Sequence, residues 1–476
     1  MKKKPNILFL LSDEHRADIL GSNGNPIVRT PNLDRIATLG TNFNNAYCNC
    51  PVCVPGRQSF LTGKQPSTID CTHFFEDFDS SLLTIPGHFA KYGYNTTAFG
   101  KMHFQDADQM HGWLERPMGD IHEAIRPPLA DGVEIPGLSK AERAVNGMGF
   151  WGPIKEVRNA RIIDEKETWD YLVTQAACHY LKKYFAAPNY DRPRGDQPLM
   201  FCLSLTNPHY PFQCGAERFD YYLNRVKPFY ETVPDSHPAY QQYSAEITHD
   251  VTDPKDVTRR EIQRATAAYY GQVEFMDAMF GKVIDLLKEL NVLDDFIIVY
   301  FSDHGDMLGQ HGCWEKKQFY EGSIRVPLTV YSPYHEHITK NSDDVCSLLD
   351  VFPTLCDLAD LPQPDDLEGD SLCPLLEGKN TDWKDEAISE LWSDWYHGGK
   401  GCFMIRRGKY KYIWYGDDNY PDQLFNLEQD PDEKHDLAGQ EKFAKLQSDF
   451  QKEITELWKN VPARKQHLIP KIKTTK

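Results

Sequence analysis

Residues 296–306 read FIIVYFSDHGD: an unbroken apolar and aromatic run, then Asp303, His304 and Asp306 within a few positions. A run this short, continuous and rich in β-forming side chains suits a strand buried on both faces, as in a mostly parallel sheet. The pattern recurs along the chain. Residues 7–11 (ILFLL) lead to Asp13, 96–99 (TTAF) to Gly100-Lys101-Met102-His103, and 199–205 (LMFCLSL) to Asn207-Pro208-His209. Ligands of open α/β sheets bind outside the carboxyl ends of the strands, so these four ends are expected to meet on one edge. Between them, helical signals start at Pro31 and cover 85–92, 168–185 and about 260–290. In the last of these, Phe275, Met279, Val283 and Leu287 fall at four-residue spacing. The expected fold class is α/β: a large, mostly parallel sheet flanked by helices, with a smaller C-terminal α+β subdomain.

After Pro374 the texture changes. Residues 387–391, 402–405 and 410–414 alternate like short strands, with a turn at Arg407-Gly408, and 442–458 reads as an amphipathic helix. A boundary near residue 380 follows, giving a catalytic α/β domain at 1–380 and a small antiparallel sheet with a helix at 381–476. Residues 106–166 and 213–255 carry Gly, Pro, Trp and Tyr without clear period, and are expected to be long inserts walling a pocket.

The densest chemistry lies at Cys48–Gly63, CNCPVCVPGRQSFLTG. Pro55 suits the first turn of a helix, which predicts a helix over 56–61 with Cys53 just before it, where backbone N–H groups favour an anion. Arg57, one turn in, has a planar fork of donors suited to a tetrahedral oxyanion. The three thiols also fit half of a metal site, but no second Cys/His cluster follows at zinc spacing. Small buried thiols are the plain alternative. Asp13, Asp303 and His304 are candidate ligands for a divalent cation beside Cys53, where it would polarise a sulfuryl or phosphoryl oxygen. Glu14 is a further candidate, although neighbours on a strand point apart. Lys101 and His103 are expected on one side of an extended segment. His209 is placed by Pro208. In Cys313-Trp314-Glu315-Lys316-Lys317, spacing alone does not say which lysine points inward.

Composition narrows the classes. A chain of 476 residues with net charge −18 is no candidate for binding nucleic acid or an acidic membrane. Twelve cysteines without a framework imply reduced thiols and a reducing compartment. The opening Met1-Lys2-Lys3-Lys4 and the short apolar run after it do not make a signal peptide, and no later run reaches membrane-spanning length, so a cytoplasmic location is expected.

Cys53-Val54-Pro55-Gly56-Arg57, extended to PVCVPGRQSFLTG, resembles the C-x-P-x-R signature of the type I sulfatases of the alkaline phosphatase superfamily. Asp13, Gly100-Lys101-Met102-His103, Asn207-Pro208-His209-Tyr210-Pro211-Phe212 and Ser302-Asp303-His304-Gly305-Asp306 follow in that family's order. So do His311-Gly312, the stretch Tyr320-Glu321-Gly322-Ser323-Ile324-Arg325-Val326-Pro327, Leu424-Phe425-Asn426-Leu427 and Asp430-Pro431. The resemblance implies that a maturation enzyme converts Cys53 to formylglycine. It also implies one calcium ion (Ca2+) held by Asp13, Asp303, His304 and the modified Cys53, with Glu14 where many members have a second Asp. A hydroxyl of the aldehyde hydrate would then attack sulfur. Calcium, Arg57, Lys101 and Lys316 would stabilise the sulfuryl oxygens, His209 with Lys316 would assist the leaving alcohol, and His103 would remove the proton that lets sulfate depart. Gly56 stands where Ser or another small residue is frequent. His304 stands where many sulfatases carry Asn, and the Asp-His variant also occurs in phosphonate monoester hydrolases. The alternative activity is therefore phosphonate monoester or phosphodiester hydrolysis; a binding protein that keeps the fold with Cys53 unmodified is a second class. Beyond Arg57, Lys101, Lys316 and Lys317 there is no basic run near these segments, which suits a small sulfated substrate, a mono- or oligosaccharide, rather than a polyanionic chain. Trp113, His122, Arg126, Trp151 and Tyr210 are candidates to close on one or two sugar rings.

Overall fold

In the computed structural model, β1 (Asn6–Asp13) runs through the middle of the main sheet because it offers apolar side chains to both faces. Ile7, Phe9 and Leu11 enter one core while Leu8 and Leu10 enter the other. The structure describes residues 4–74, 76–120, 157–158, 160–186, 197–231, 258–379, 382–392, 401–416 and 420–457.

Along the chain follow α1 (Pro31–Leu39), β2 (Thr41–Tyr47), α2 (Cys53–Thr62), α3 (Ile85–Lys91), β3 (Asn95–Gly100) and β4 (Glu115–Met118). Then come β5 (Arg161–Ile162), α4 (Trp169–Ala186), β6 (Leu199–Pro208), β7 (Gln213–Cys214), α5 (Ala216–Leu223) and α6 (Arg259–Glu289). β8 (Phe296–Ser302), α7 (Glu321–Ile324), β9 (Arg325–Tyr331), β10 (Asn341–Ser347), α8 (Val351–Leu358) and α9 (Cys373–Leu376) complete the larger part. Eight strands form one sheet in the order β10-β2-β9-β8-β1-β6-β3-β4. Only β9 runs antiparallel to its neighbours, β2 and β8. The parallel registers Ser12↔Ser302, Asp13↔Pro208 and Gly100↔Ser204 bring the carboxyl ends of β1, β8, β6 and β3 to one edge.

The long helix α6 starts with a capping box, in which Thr258 and Glu261 satisfy each other's backbone N–H groups. Its Phe275, Met279, Val283 and Leu287 are buried in the core on one sheet face, as the four-residue spacing predicts. β11 (Glu386–Leu391), β12 (Cys402–Arg407), β13 (Tyr410–Trp414) and β14 (Gln423–Asn426) form a separate antiparallel sheet, followed by α10 (Ala444–Leu457). One face of this sheet packs under α10 through Phe403, Ile405, Tyr412, Phe450 and Ile454. The other sends Ala387, Leu391, Met404 and Ile413 into the main core. The small sheet is thus fused to the large one by shared apolar surface.

Two expectations change. The helix over 56–61 begins earlier, at Cys53 itself, with extended Val52 as its cap. The stretch 213–255 is not irregular throughout, since β7 and α5 lie in it. No helix among the described residues is long and apolar enough to cross a membrane.

Candidate active site

The edge of the sheet gathers four residues whose ligand atoms all lie within 4.8 Å of one another: Asp13, Cys53, Asp303 and His304, every one buried. Each arrives from a strand end or the helix that follows one. Asp13 closes β1, Asp303 and His304 leave β8, and Cys53 opens α2. The approach of α2 is close, because a Cβ on Gly56 would lie 2.8 Å from the carbonyl oxygen of Cys50. Glycine at this position therefore has a steric reason of its own.

Charge balance is supplied by cations packed behind the carboxylates. Arg57 is fully enclosed and donates Nε–H to Asp303 Oδ2 at 2.7 Å and Nη2–H to Asp13 Oδ2 at 3.2 Å. Its Nη1 donates to the Lys101 carbonyl and the Ser204 hydroxyl. Arg57 therefore braces two carboxylates, a contact that the sequence reading of its fork did not include. The motif places it one helical turn past Cys53, and the sheet edge happens to put both acids at that turn. Lys101 Nζ pairs with Asp13 Oδ2. Burial alone would raise the Asp13 carboxyl, yet Lys101, His209, Arg57 and His304 together hold it well below the usual carboxylate range.

With the Oδ2 atoms tied to cations, the Oδ1 atoms lie beside the cluster, that of Asp303 also accepting the backbone N–H groups of Glu14 at 3.2 Å and His304 at 3.0 Å. Asp13 Oδ1 lies 3.8 Å from Cys53 Sγ and 3.7 Å from His304 Nε2, and Asp303 Oδ1 lies 3.8 Å from that nitrogen. His304 Nδ1–H donates to the Gly305 carbonyl at 2.9 Å, so Nε2, 3.1 Å from Cys53 Sγ, carries the lone pair. Burial and the Asp13 charge push the Cys53 thiol up, so it is no activated thiolate.

Glu14 joins the edge against the strand rule. Its φ of 66° breaks the extended run immediately after Asp13, and its carboxylate comes round to within 4.8 Å of ligand atoms of Asp13 and His209. Glu14 Oε2 lies 2.9 Å from Lys316 Nζ and 3.2 Å from His209 Nε2, while Oε1 accepts no hydrogen bond among the described residues. Lys316 is the lysine that turns inward; Lys317 is half-buried. Lys316 Nζ donates to His209 Nε2 at 2.7 Å, and His209 Nδ1–H donates to the Tyr210 carbonyl. Burial and the Lys316 charge hold His209 well below the ordinary imidazole range. The proton of this pair therefore resides on Lys316.

His103 stands elsewhere than an extended 101–103 segment would put it. Gly100 has φ 89°, where a Cβ would lie 1.9 Å from the Ser204 carbonyl oxygen, and His103 has φ 61°. The turn between them is held by Asp120 Oδ2, which accepts the N–H groups of Met102 and His103 and pairs with Arg116. The His103 ring lies edge-on to Phe74 with centroids 4.8 Å apart. Of the aromatic candidates, Tyr210 stays at the site with Lys316 Nζ 5.1 Å from its ring centre, whereas Trp113 is buried in the main core. His122, Arg126 and Trp151 lie outside the described residues. Asp120, Ser204 and Arg16, which grips the loop after β8 through the Asp306 and Met307 carbonyls, carry no motif and were not legible beforehand.

Comparison with known proteins fits this geometry. The sulfatase family model matches residues 5–361, and the model for the C-terminal part of N-sulphoglucosamine sulphohydrolase matches 309–460. The chain is 31% identical to the choline-sulfatase of Rhizobium meliloti over 91% of its length and 82% of that protein. It is 30% identical to an arylsulfatase of Clostridium perfringens, covering 92% and 91%. Among solved structures, the phosphonate monoester hydrolase of Agrobacterium radiobacter superposes with TM-score 0.76 at 22% identity, covering 96% of each chain. A protein solved with its substrate D-glucosamine-2-N,6-O-disulfate superposes with TM-score 0.75 at 22% identity, covering 96% and 98%. Those two likenesses establish the alkaline-phosphatase-like fold, and the family matches with the two sequence relatives establish the lineage: this chain belongs to the sulfatase family and is an enzyme of sulfate ester hydrolysis.

Proposed function

We propose that the enzyme releases sulfate from a small sulfated substrate, a mono- or oligosaccharide sulfate, using Cys53 in its formylglycine form and a calcium ion. The observation that carries this reading is the meeting of Asp13, Cys53, Asp303 and His304 within 4.8 Å, with Lys101, Lys316 and His209 around them. The donor set fits a hard divalent cation: the Oδ1 atoms of Asp13 and Asp303 lie 3.7 and 3.8 Å from the His304 Nε2 lone pair, and Glu14 Oε1 accepts no hydrogen bond among the described residues. Asp13, Asp303, His304 and Glu14 would hold that ion, which would polarise the sulfuryl oxygens beside a hydrated aldehyde nucleophile derived from Cys53.

The remaining work belongs to side chains already in place. Lys101 and Lys316 are positive groups at the place where negative charge gathers on the transferring group. The Lys316–His209 pair lends its proton to the departing alcohol oxygen, and His103, on the turn that Asp120 holds, takes up a proton when sulfate leaves. The net charge of −18 and the few cations at the edge favour one sulfate group over a polyanion. The sequence relatives are a choline-sulfatase and an arylsulfatase, whose names agree on the sulfate and differ on the alcohol.

The test is a parallel assay of an aryl sulfate, a sulfated disaccharide and its parent polymer, a phosphonate monoester and a phosphodiester. Sulfate esters are expected to be cleaved fastest, and the disaccharide faster than the polymer; a dominant phosphonate or phosphodiester rate would replace this reading with the alternative. When a formylglycine-generating enzyme is co-produced, peptide mass analysis is expected to find an aldehyde at Cys53 and at neither Cys48 nor Cys50. Cys53→Ala should lose at least about 10^3-fold in turnover.

A further inference from the structure

The segment that presents His209 is gripped from two helices. From α4, the buried Asp170 carboxylate accepts the backbone N–H groups of Thr206 at 2.9 Å and Asn207 at 2.8 Å, and also the Asn207 side-chain amide. From α6, the buried Gln272 points its Nε2 at three oxygens: Asn207 Oδ1 at 3.1 Å, the His209 carbonyl at 3.1 Å and the Pro211 carbonyl at 3.2 Å. Three acceptors converging on one atom demand a donor there, so only the amide nitrogen fits. One turn earlier on the same helix, Tyr269 donates its hydroxyl to the Glu14 carbonyl at 2.6 Å and accepts the Arg16 N–H at 3.0 Å. A single rigid helix thus fixes the backbone of Glu14 and the backbone of His209, whose side chains meet at Lys316.

We propose that Gln272 is a positioning residue for proton donation to the leaving group, holding His209 at hydrogen-bonding distance from Lys316; the proposal rests on the reading of the site given above. In the step it serves, sulfur passes to a hydroxyl oxygen of the hydrated aldehyde derived from Cys53 as its bond to the ester oxygen breaks; the electron pair of that bond goes to the ester oxygen, and one proton passes to it from the Lys316–His209 pair. Gln272 does not touch the reacting atoms. Its effect comes through the carbonyls it holds on either side of Tyr210, and a misplacement of His209 by about 1 Å is enough to cost on the order of a hundredfold in a step that needs it.

The leaving group supplies a readout that a purely structural role would not move. An ester whose alcohol is a poor leaving group depends on the proton, and one that leaves readily as an anion does not. Gln272→Met keeps length and removes the donor. In the enzyme co-produced with its maturation partner and checked for equal conversion of Cys53, kcat on a series of substituted phenyl sulfates should fall by about tenfold or more for the least acidic phenols. It should change less than about threefold for nitrophenyl sulfate, so the dependence on phenol acidity steepens. Amide hydrogen exchange should accelerate over residues 206–212 while the rest of the described chain keeps its protection. An equal loss across the series, or unchanged exchange at 206–212, would overturn the proposal. Should Gln272→Met fail to accumulate as folded protein, Gln272→Glu is scored by the same slope and the same exchange. A wild-type enzyme that cleaves no sulfate ester would instead refute the function, leaving the exchange result to judge the brace.

Discussion

Two buried carboxylate sites flank the Cys48–Gly63 segment, and they solve the same problem in opposite ways. At the strand edge, Asp13 is fully buried, yet Lys101 and Arg57 reach its Oδ2 and its charge is favoured despite the desolvation. At the seam with the small sheet, Glu390 is equally buried, accepts from the Ser67 N–H and hydroxyl and from the Trp392 indole, and has no ion pair among the described residues. Burial, only partly offset by those hydrogen bonds, raises its carboxyl to about 7. Hydrogen bonds satisfy a buried acid's geometry, and only matched cations keep it an anion. One site is built to remain charged; the other holds a joint together.

The strongest way to break the contrast is to neutralise the anions of the edge. Asp13→Asn and Asp303→Asn should each lose bound calcium and about a hundredfold or more of turnover while the fold survives. Metal analysis beside circular dichroism checks this, and wild-type calcium content with wild-type rates would remove both residues from the ligand set.

Removing the brace should strike stability as well. Arg57→Met leaves Asp13 and Asp303 without the guanidinium that both contact. A buried pair that loses one partner costs about 3–5 kcal/mol, which urea unfolding of the Cys53 form would read. A change below about 1 kcal/mol would mean that Lys101 alone suffices for charge balance.

A smaller effect sharpens the comparison from the seam. Glu390 holds its proton to about pH 7 in the folded chain, against an unperturbed value of 4.5. Between those values the folded state binds more protons than the unfolded one, so the stability tied to this group is complete below pH 4.5 and is lost as pH rises through 7. The loss is at most about 3 kcal/mol. Glu390→Gln should flatten that slope, so that its melting temperature relative to the parent rises between pH 5 and pH 8. Parallel slopes would show that Glu390 is ionised throughout.

Much of this was legible in the chain. The strand runs ending at Asp13, Lys101, His209 and Asp303 were visible because a strand buried on both faces must be apolar throughout, and a polar residue then marks its end. The amphipathic period of α6 was readable for the same reason. Less visible were departures from regular backbone. Neighbours on a strand diverge, so Glu14 was an uncertain partner for Asp13 until its positive φ turned it back. His103 was read as extended and instead sits on a turn that Asp120 holds from 17 residues away. Asp120, Asp170, Gln272 and Glu390 are single polar residues without motif, and nothing local separates them from surface positions.

The sequence by itself determined the layered fold, the order of the strand ends and the residue types gathered around Cys53. These follow from periodicity and from chemistry confined to a few adjacent positions. The tertiary structure alone decided which partners each carboxylate oxygen takes, that Arg57 spans Asp13 and Asp303, and which of Lys316 and Lys317 faces inward. Those outcomes depend on contacts across tens to hundreds of residues, where a rotation of one side chain exchanges a bound partner for an open one. Local sequence carries no record of that choice.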